Sequence, residues 1–138
     1  MKLLVVEDDF VSQLLMKEYL HDYGVVQLAV TGKEAVALAN AALAAGEPFD
    51  LICLDIMMPE MDGHQALREI RAAEAALAVR HDKRSKIVMT TALAEHRDIV
   101  QAFESQCDGY LVKPFARASV VATLAEIGIK LPAPTQAR

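Results

Sequence analysis

Three observations predict an α/β fold built on one doubly wound parallel sheet. Short strand-type segments alternate with segments of helical period from residue 2 to about residue 128. The strand-type segments are mostly apolar throughout, as expected of strands covered on both faces. Four of them run into polar residues at their carboxyl ends, the rim where such sheets collect ligands.

The first strand is Lys2 to Val6 (KLLVV), which breaks off in the three acids Glu7, Asp8 and Asp9. Asp9 to about Tyr23 places Val11, Leu14, Leu15 and Leu20 at mixed three- and four-residue spacing, an amphipathic helix stopped by Gly24. Val25 to Val30 (VVQLAV) is the second strand. Thr31 followed by Glu34 is a capping-box pair that opens a helix to about Ala45, closed by Gly46 and Pro48. Phe49 to Asp55 (FDLICLD) is the third strand, and the loop IMMPEMDG follows it. Asp62 reads as the cap of the third helix, with Gln65 at its third position and Ala66, Leu67 and Ile70 along its apolar side, running to about Val79. Lys86 to Thr90 (KIVMT) is the fourth strand, Glu95 to Ser105 the fourth helix, Gly109 to Val112 (GYLV) the fifth strand and Ala116 to about Ile127 the last helix.

At 138 residues the chain suits one domain, with residues 1–130 folded and 131–138 (LPAPTQAR) a flexible tail or the start of a linker. Hydrophobic residues make up 54% and charged residues 24%, which excludes a disordered chain. The formal net charge of −5 lacks the positive field that phosphate backbones attract, so direct nucleic-acid binding is not expected. No apolar run approaches the roughly 18 residues needed to cross a bilayer. Cys53 and Cys107 lie in apolar segments without paired spacing and read as buried thiols of a reducing compartment, with the cytoplasm the expected location. His21, His64, His81 and His96 show no ligand spacing.

The acids fall where chemistry is expected. Glu7 and Asp8 end the first strand, Asp55 the third, Thr90 and Thr91 the fourth, and Lys113 the fifth. Converging carboxylates repel unless a cation neutralises them, and a hard divalent ion such as Mg²⁺ suits oxygen donors. Glu7, Asp8 and Asp55 carry three negative charges, which one Mg²⁺ and Lys113 balance. An arriving phosphoryl group then meets donors: the Thr91 hydroxyl, the Lys113 ammonium and backbone N–H groups after Asp55. Asp55 is the candidate carboxylate nucleophile, and Ala92 is too small to obstruct the phosphoryl group.

These residues resemble the receiver domain of two-component response regulators over about residues 2 to 128. The marks are the acid pair in VVEDD, the D-x-x-M-P-x-x-D-G run from Asp55 to Gly63, Thr91-Ala92 after the fourth strand, and YLVKPF with Lys113-Pro114 after the fifth. The resemblance implies a flavodoxin-like (βα)5 fold with strand order 2-1-3-4-5. It implies that Asp55 accepts a phosphoryl group from a sensor histidine kinase or histidine phosphotransfer protein. Mg²⁺ would be held by Asp8 and Asp55, by Glu7 through water, and by the Met57 backbone carbonyl. Lys113 and Thr91 would contact the phosphoryl group, Tyr110 would reorient in the switch, and Lys113-Pro114 would be cis. The output surface toward a downstream effector would be the fourth helix, fifth strand and last helix, about residues 94–128. Met57 and Leu93 occupy the positions that tune phosphoryl lifetime in the family; both are apolar and orient no water, so slow self-dephosphorylation is expected. Catalysis would extend no further than the domain's own phosphorylation and dephosphorylation.

The 36 positions from Asp55 to Thr91 exceed the family's usual spacing, with the excess in RAAEAALAVRHDKRSK. Arg80, Lys83, Arg84 and Lys86 within and beside it read as a solvated loop, with a docking patch as the alternative. Two other functions fit the residues less well. A Mg²⁺-dependent phosphohydrolase needs a second acid two residues beyond Asp55, where Met57 stands, and a degenerate receiver acting as a phosphorylation-independent binding module would not need the full set of residues present.

Overall fold

In a computed structural model, residues 1–58, 60–92 and 106–131 are described. The elements are β1 (Lys2–Val6), α1 (Phe10–Leu20), β2 (Val25–Ala29), α2 (Gly32–Ala44), β3 (Leu51–Asp55), α3 (Gly63–Ala76), β4 (Lys86–Thr91), β5 (Gly109–Val112) and α4 (Arg117–Glu126). The expected helix at 95–105, Leu93 and the tail 132–138 lie outside the described residues. The five strands form one parallel sheet in the order β2-β1-β3-β4-β5, as the resemblance implies.

Alternation along each strand divides the core into two layers. Leu4, Val6, Ile52, Leu54, Ile87 and Met89 pack against Ala35, Ala39, Leu67 and Ile70 of α2 and α3. Leu3, Val5, Leu51, Cys53, Val88 and Leu111 pack against Met16 and Leu20 of α1 and Val120 and Leu124 of α4. β1 and β3 sit mid-sheet and are almost wholly buried, whereas β2 lies at the edge and exposes Val25 and Gln27.

The caps behave as their residue types demand. Asp9, Thr31 and Asp62 each accept an N–H from the third residue on, Ser12, Glu34 and Gln65, at 2.9–3.0 Å. Glu34 reaches back to the Val30 N–H at 2.7 Å, one residue before the Thr31 cap, a variant of the capping box. α3 ends at Ala76, short of the expected Val79, because Ala78 turns into the left-handed region (φ 53°) and a 3₁₀ turn, His81–Lys83, follows.

The expected core face of α1 needs correction. Leu20 is buried as expected, but Val11, Leu14 and Leu15 are exposed, and Gln13 and Met16 are buried in their place. Apolar residues surround this helix on several sides, so periodicity alone does not choose the inward stripe. The choice falls to Met16 and Leu20 packing on the sheet, with the Gln13 amide donating to the Glu7 carbonyl at 3.3 Å.

Under the sheet's opposite rim, Arg71 clamps three elements together. Its guanidinium donates to the Gln106 and Ser85 carbonyls and to the carboxylates of Glu74 and Asp108, all within 2.7–3.0 Å. Glu74, buried in α3, also accepts the Ser85 N–H, and Asp108 the Ile87 N–H. This network ties α3 to the start of β4 and to the segment entering β5.

Candidate functional site

Strand register builds the site. Val6 pairs with Leu54 in the parallel ladder, so the next residues, Glu7 and Asp55, leave the sheet side by side with the same parity. Asp55 pairs with Thr90 and Thr91 with Val112, which brings Lys113 to the same rim; its N–H donates to the Thr91 carbonyl at 2.6 Å. The peptide bond that follows, Lys113-Pro114, is cis, as the resemblance implies.

α3 must begin very close to β3 for this rim to close. A Cβ at Gly63 would lie 2.3 Å from the Asp55 carbonyl oxygen, so only glycine fits there, and its N–H donates to the Ile56 carbonyl at 3.0 Å. That contact accounts for the Asp62-Gly63 end of the motif: the aspartate caps, and the glycine lets the helix approach.

Glu7, Asp8 and Asp55 each offer a carboxylate oxygen, all within 4.8 Å of one another. Glu7 and Asp55 are buried and Asp8 is exposed. Lys113 Nζ pairs with Glu7 Oε1 and stands 3.4 Å from Asp55 Oδ2. Backbone donors complete the arrangement, from Asp9 to Glu7 Oε2 at 3.0 Å and from Met57 to Asp55 Oδ1 at 3.3 Å. Burial, reinforced by the adjacent Glu7, pushes Asp55 up to about 7 against the opposing pull of Lys113 and the Met57 N–H. Burial alone would lower Lys113, but Glu7 and Asp55 outweigh it and the ammonium is held above its ordinary value. Three hard oxygen donors crowded against one ammonium fit a small divalent cation, which relieves the Glu7–Asp55 repulsion that adds to burial in raising Asp55.

The remaining residues named from sequence are more dispersed. Thr91 is buried at the end of β4, and Ala92 is exposed beside it. Met57 is exposed at the mouth and its N–H points back to Asp55. Tyr110 is partly exposed on β5, paired with Met89. Sequence reasoning missed the direct pairing of Glu7 with Lys113, which it had assigned to separate partners. It also missed the mouth's apolar wall: Val11 and Leu15 of α1, with Ala92, Lys113, Pro114 and Phe115, line a hollow of about 430 Å³. The exposed stripe of α1 is therefore part of the site's rim.

Comparison with known proteins agrees with this geometry. Residues 3–125 match the family model for the response regulator receiver domain. The transcriptional regulatory protein ResD of Bacillus subtilis is 38% identical over 122 residues, covering 87% of this chain and 45% of that protein. The hybrid signal transduction histidine kinase L of Dictyostelium discoideum is 32% identical, covering 92% of this chain but 7% of the kinase. The chain thus spans less than half the length of these curated relatives. Among solved structures, the receiver domain of histidine kinase CKI1 from Arabidopsis thaliana, complexed with Mg²⁺ and BeF₃⁻, superposes with a TM-score of 0.72 at 32% identity, covering 91% of this chain and 88% of that one. The receiver domain of sensor histidine kinase PA1611 from Pseudomonas aeruginosa, with a magnesium ion in its active site cleft, gives 0.73 at 32% identity, covering 92% and 97%. The chain belongs to the family of response regulator receiver domains.

Proposed function

We propose that Asp55 accepts a phosphoryl group from a phosphohistidine on a sensor histidine kinase or a phosphotransfer protein, and that the resulting acyl phosphate switches a surface around β5 and α4 toward an effector. The observation that carries this reading is the cluster itself: three carboxylates within 4.8 Å, with Lys113 placed between Glu7 and Asp55. Asp8 and Asp55 would hold Mg²⁺ directly, Glu7 through water, and the Met57 carbonyl would add a further oxygen. The ion would neutralise charge on the phosphoryl oxygens. An Asp55 oxygen forms the new bond to phosphorus as the bond to the donor imidazole nitrogen breaks, and the imidazole leaves with the electron pair and takes up a proton. Lys113 then turns from Asp55 to the phosphoryl oxygens, and Thr91 donates its hydroxyl to them. Interactions made only in the phosphorylated arrangement bias a minor conformation, and a population change from 1:99 to 99:1 takes about 5.5 kcal/mol.

The apolar wall supports transfer in trans. A donor protein must bring its phosphohistidine over Asp55, and the surface it would cover there is Val11, Leu15 and Phe115, contiguous with Lys113. The buried free cysteines fit a cytoplasmic setting, and among the described residues no helix is long and apolar enough to cross a membrane. Incubation with acetyl phosphate and Mg²⁺, read by intact mass, tests the assignment. One added phosphoryl group is expected on the wild-type chain and none on Asp55→Asn; equal labelling of both would remove Asp55 as the acceptor.

A further inference from the structure

We propose that a basic hollow at the opposite rim of the sheet binds a small phosphate-bearing anion. The hollow, about 340 Å³, lies between α3 and the segments that enter β4 and β5, and falls within the size range of small-molecule sites. Arg68, Arg71, Arg84 and Lys86 line it together with His81, against Asp108 as the one lining carboxylate. Such a concentration of positive charge is unexpected in a chain of net charge −5.

Internal structure uses part of this charge. Arg71 is committed to Gln106, Glu74, Ser85 and Asp108, and Asp108 spends its Oδ2 on Arg71 and the Ile87 N–H. The lining carboxylate is therefore already engaged, and among the described residues it leaves Arg84 and Lys86 without an ion-pair partner. Arg84 Nε is buried with no hydrogen-bond partner, and neither Arg84 nor Lys86 forms an ion pair among the described residues. A buried guanidinium N–H without an acceptor is costly, and because Arg84 also lines the hollow, a side-chain rotation onto an anion seated there supplies the acceptor it lacks. Phosphate suits the guanidinium fork of Arg84 and the point charge of Lys86 together. The charges gather around one half-open hollow of about 340 Å³ instead of lining a strip, which favours a compact ligand over an extended acidic peptide.

The basic stretch before β4 thereby gains a role that a solvated loop does not give it. Arg84 and Lys86 belong to the segment that lengthens the Asp55-to-Thr91 connection, and the hollow exists because that segment folds back over α3. The site is independent of the acidic rim and of the phosphoacceptor reading.

Titration of the full chain with pyrophosphate in EDTA, followed by ¹H–¹⁵N NMR and calorimetry, tests the proposal. Saturable binding is expected, with amide shifts confined to residues near 71, 84–86 and 106–108. Arg84→Gln and Lys86→Gln should each weaken it by about tenfold, while Asp55→Asn leaves it unchanged. Arg84→Lys, which keeps the charge and removes the Nε donor, should weaken it less than Arg84→Gln, and dispersed spectra for each variant show that the fold is retained. Absence of saturable shifts overturns the proposal. So does pyrophosphate affinity unchanged in both Gln variants, or tighter binding of a glutamate-rich peptide, which would assign the hollow to an acidic protein segment.

Discussion

Lys113 Nζ stands 3.4 Å from Asp55 Oδ2 although 58 residues separate the two in sequence. The same ammonium pairs with Glu7, so one side chain restrains two buried carboxylates at the mouth of the site. Replacing Lys113 with Gln keeps much of the volume and removes the charge. The apo protein should lose about 1–3 kcal/mol as Glu7 and Asp55 lose their counter-ion. Mg²⁺ should bind about tenfold more tightly, because a cation competing for the same carboxylates has gone. Calorimetric Mg²⁺ titration of both proteins checks the sign, and weaker binding in the variant would refute it.

Asp55 gives a pH dependence whose direction follows from its environment. Its carboxyl sits at about 7 in the folded chain against an ordinary 3.8, so between these values the folded state holds the proton that the unfolded state has released. Stability of the metal-free protein therefore falls as pH rises from about 4 to 7, the reverse of an ordinary paired carboxylate. Asp55→Asn removes this component. In EDTA at pH 8 the variant should melt roughly 3–6 °C above the wild type, and the difference should vanish near pH 4. Differential scanning calorimetry across this range would expose an error as a difference that does not change with pH.

How far the sequence reveals this molecule depends on which interactions set each feature. The parallel sheet and the convergence of Glu7, Asp55 and Lys113 at one rim follow from the apolar strand pattern and the position of each polar residue at a strand's end, which are local properties, whereas the strand order comes from the family resemblance. The inward stripe of α1 is different. Leu20 is legible from spacing, but Met16 joins it in place of Val11, Leu14 and Leu15 only through packing with Leu3, Val5 and Cys53, which no count along the helix reveals. The Arg71 clamp joins residues 35 and 37 positions apart, and its guanidinium is one of several on α3 and the following loop, so nothing local marks it. The Glu7–Lys113 pair escapes notice for a similar reason: the two residues carry opposite charge to one rim, and only side-chain geometry shows them touching.

The clamp yields a stability prediction. Arg71 and Glu74 are both largely buried, and the carboxylate that remains after Arg71→Ala keeps one backbone donor, Ser85, in place of a guanidinium. The substitution should cost about 3 kcal/mol or more in urea unfolding, since removing one partner strands a buried charge. Arg71→Met with Glu74→Leu removes both charges and should lose less than the sum of the single changes. A double-mutant cycle with no coupling energy would deny the pairing an energetic role.

Lifetime of the acyl phosphate bears on Met57. Its side chain is exposed at the mouth, two residues beyond Asp55, and offers nothing to orient an attacking water. Met57→Asn places a donor and an acceptor there, and Leu93→Glu adds a carboxylate at the position two beyond Thr91. Each should shorten the phosphorylated state several-fold, and together they should shorten it further. The loss of phosphorylated mass with time after removal of acetyl phosphate gives the rates. A lifetime unchanged in the double variant would show that water access is set elsewhere.

The exposed stripe of α1 separates phosphorylation by a small molecule from phosphorylation by a protein. Val11 and Leu15 wall the hollow beside Lys113 but make no contribution to the carboxylate cluster. Leu15→Asp leaves the buried face of α1 intact, since Met16 and Leu20 carry it, so folding should be unaffected. Acetyl phosphate, small enough to reach Asp55 without covering the rim, should label this variant at the wild-type rate. A phosphohistidine protein that transfers to the wild-type chain has to bury the rim to reach Asp55, and a charge there costs its solvation on docking. Transfer from that donor should therefore slow by about tenfold or more, through a raised half-saturation and not through the chemical step. Equal slowing with both donors would place the damage at Asp55 itself and remove α1 from the docking surface.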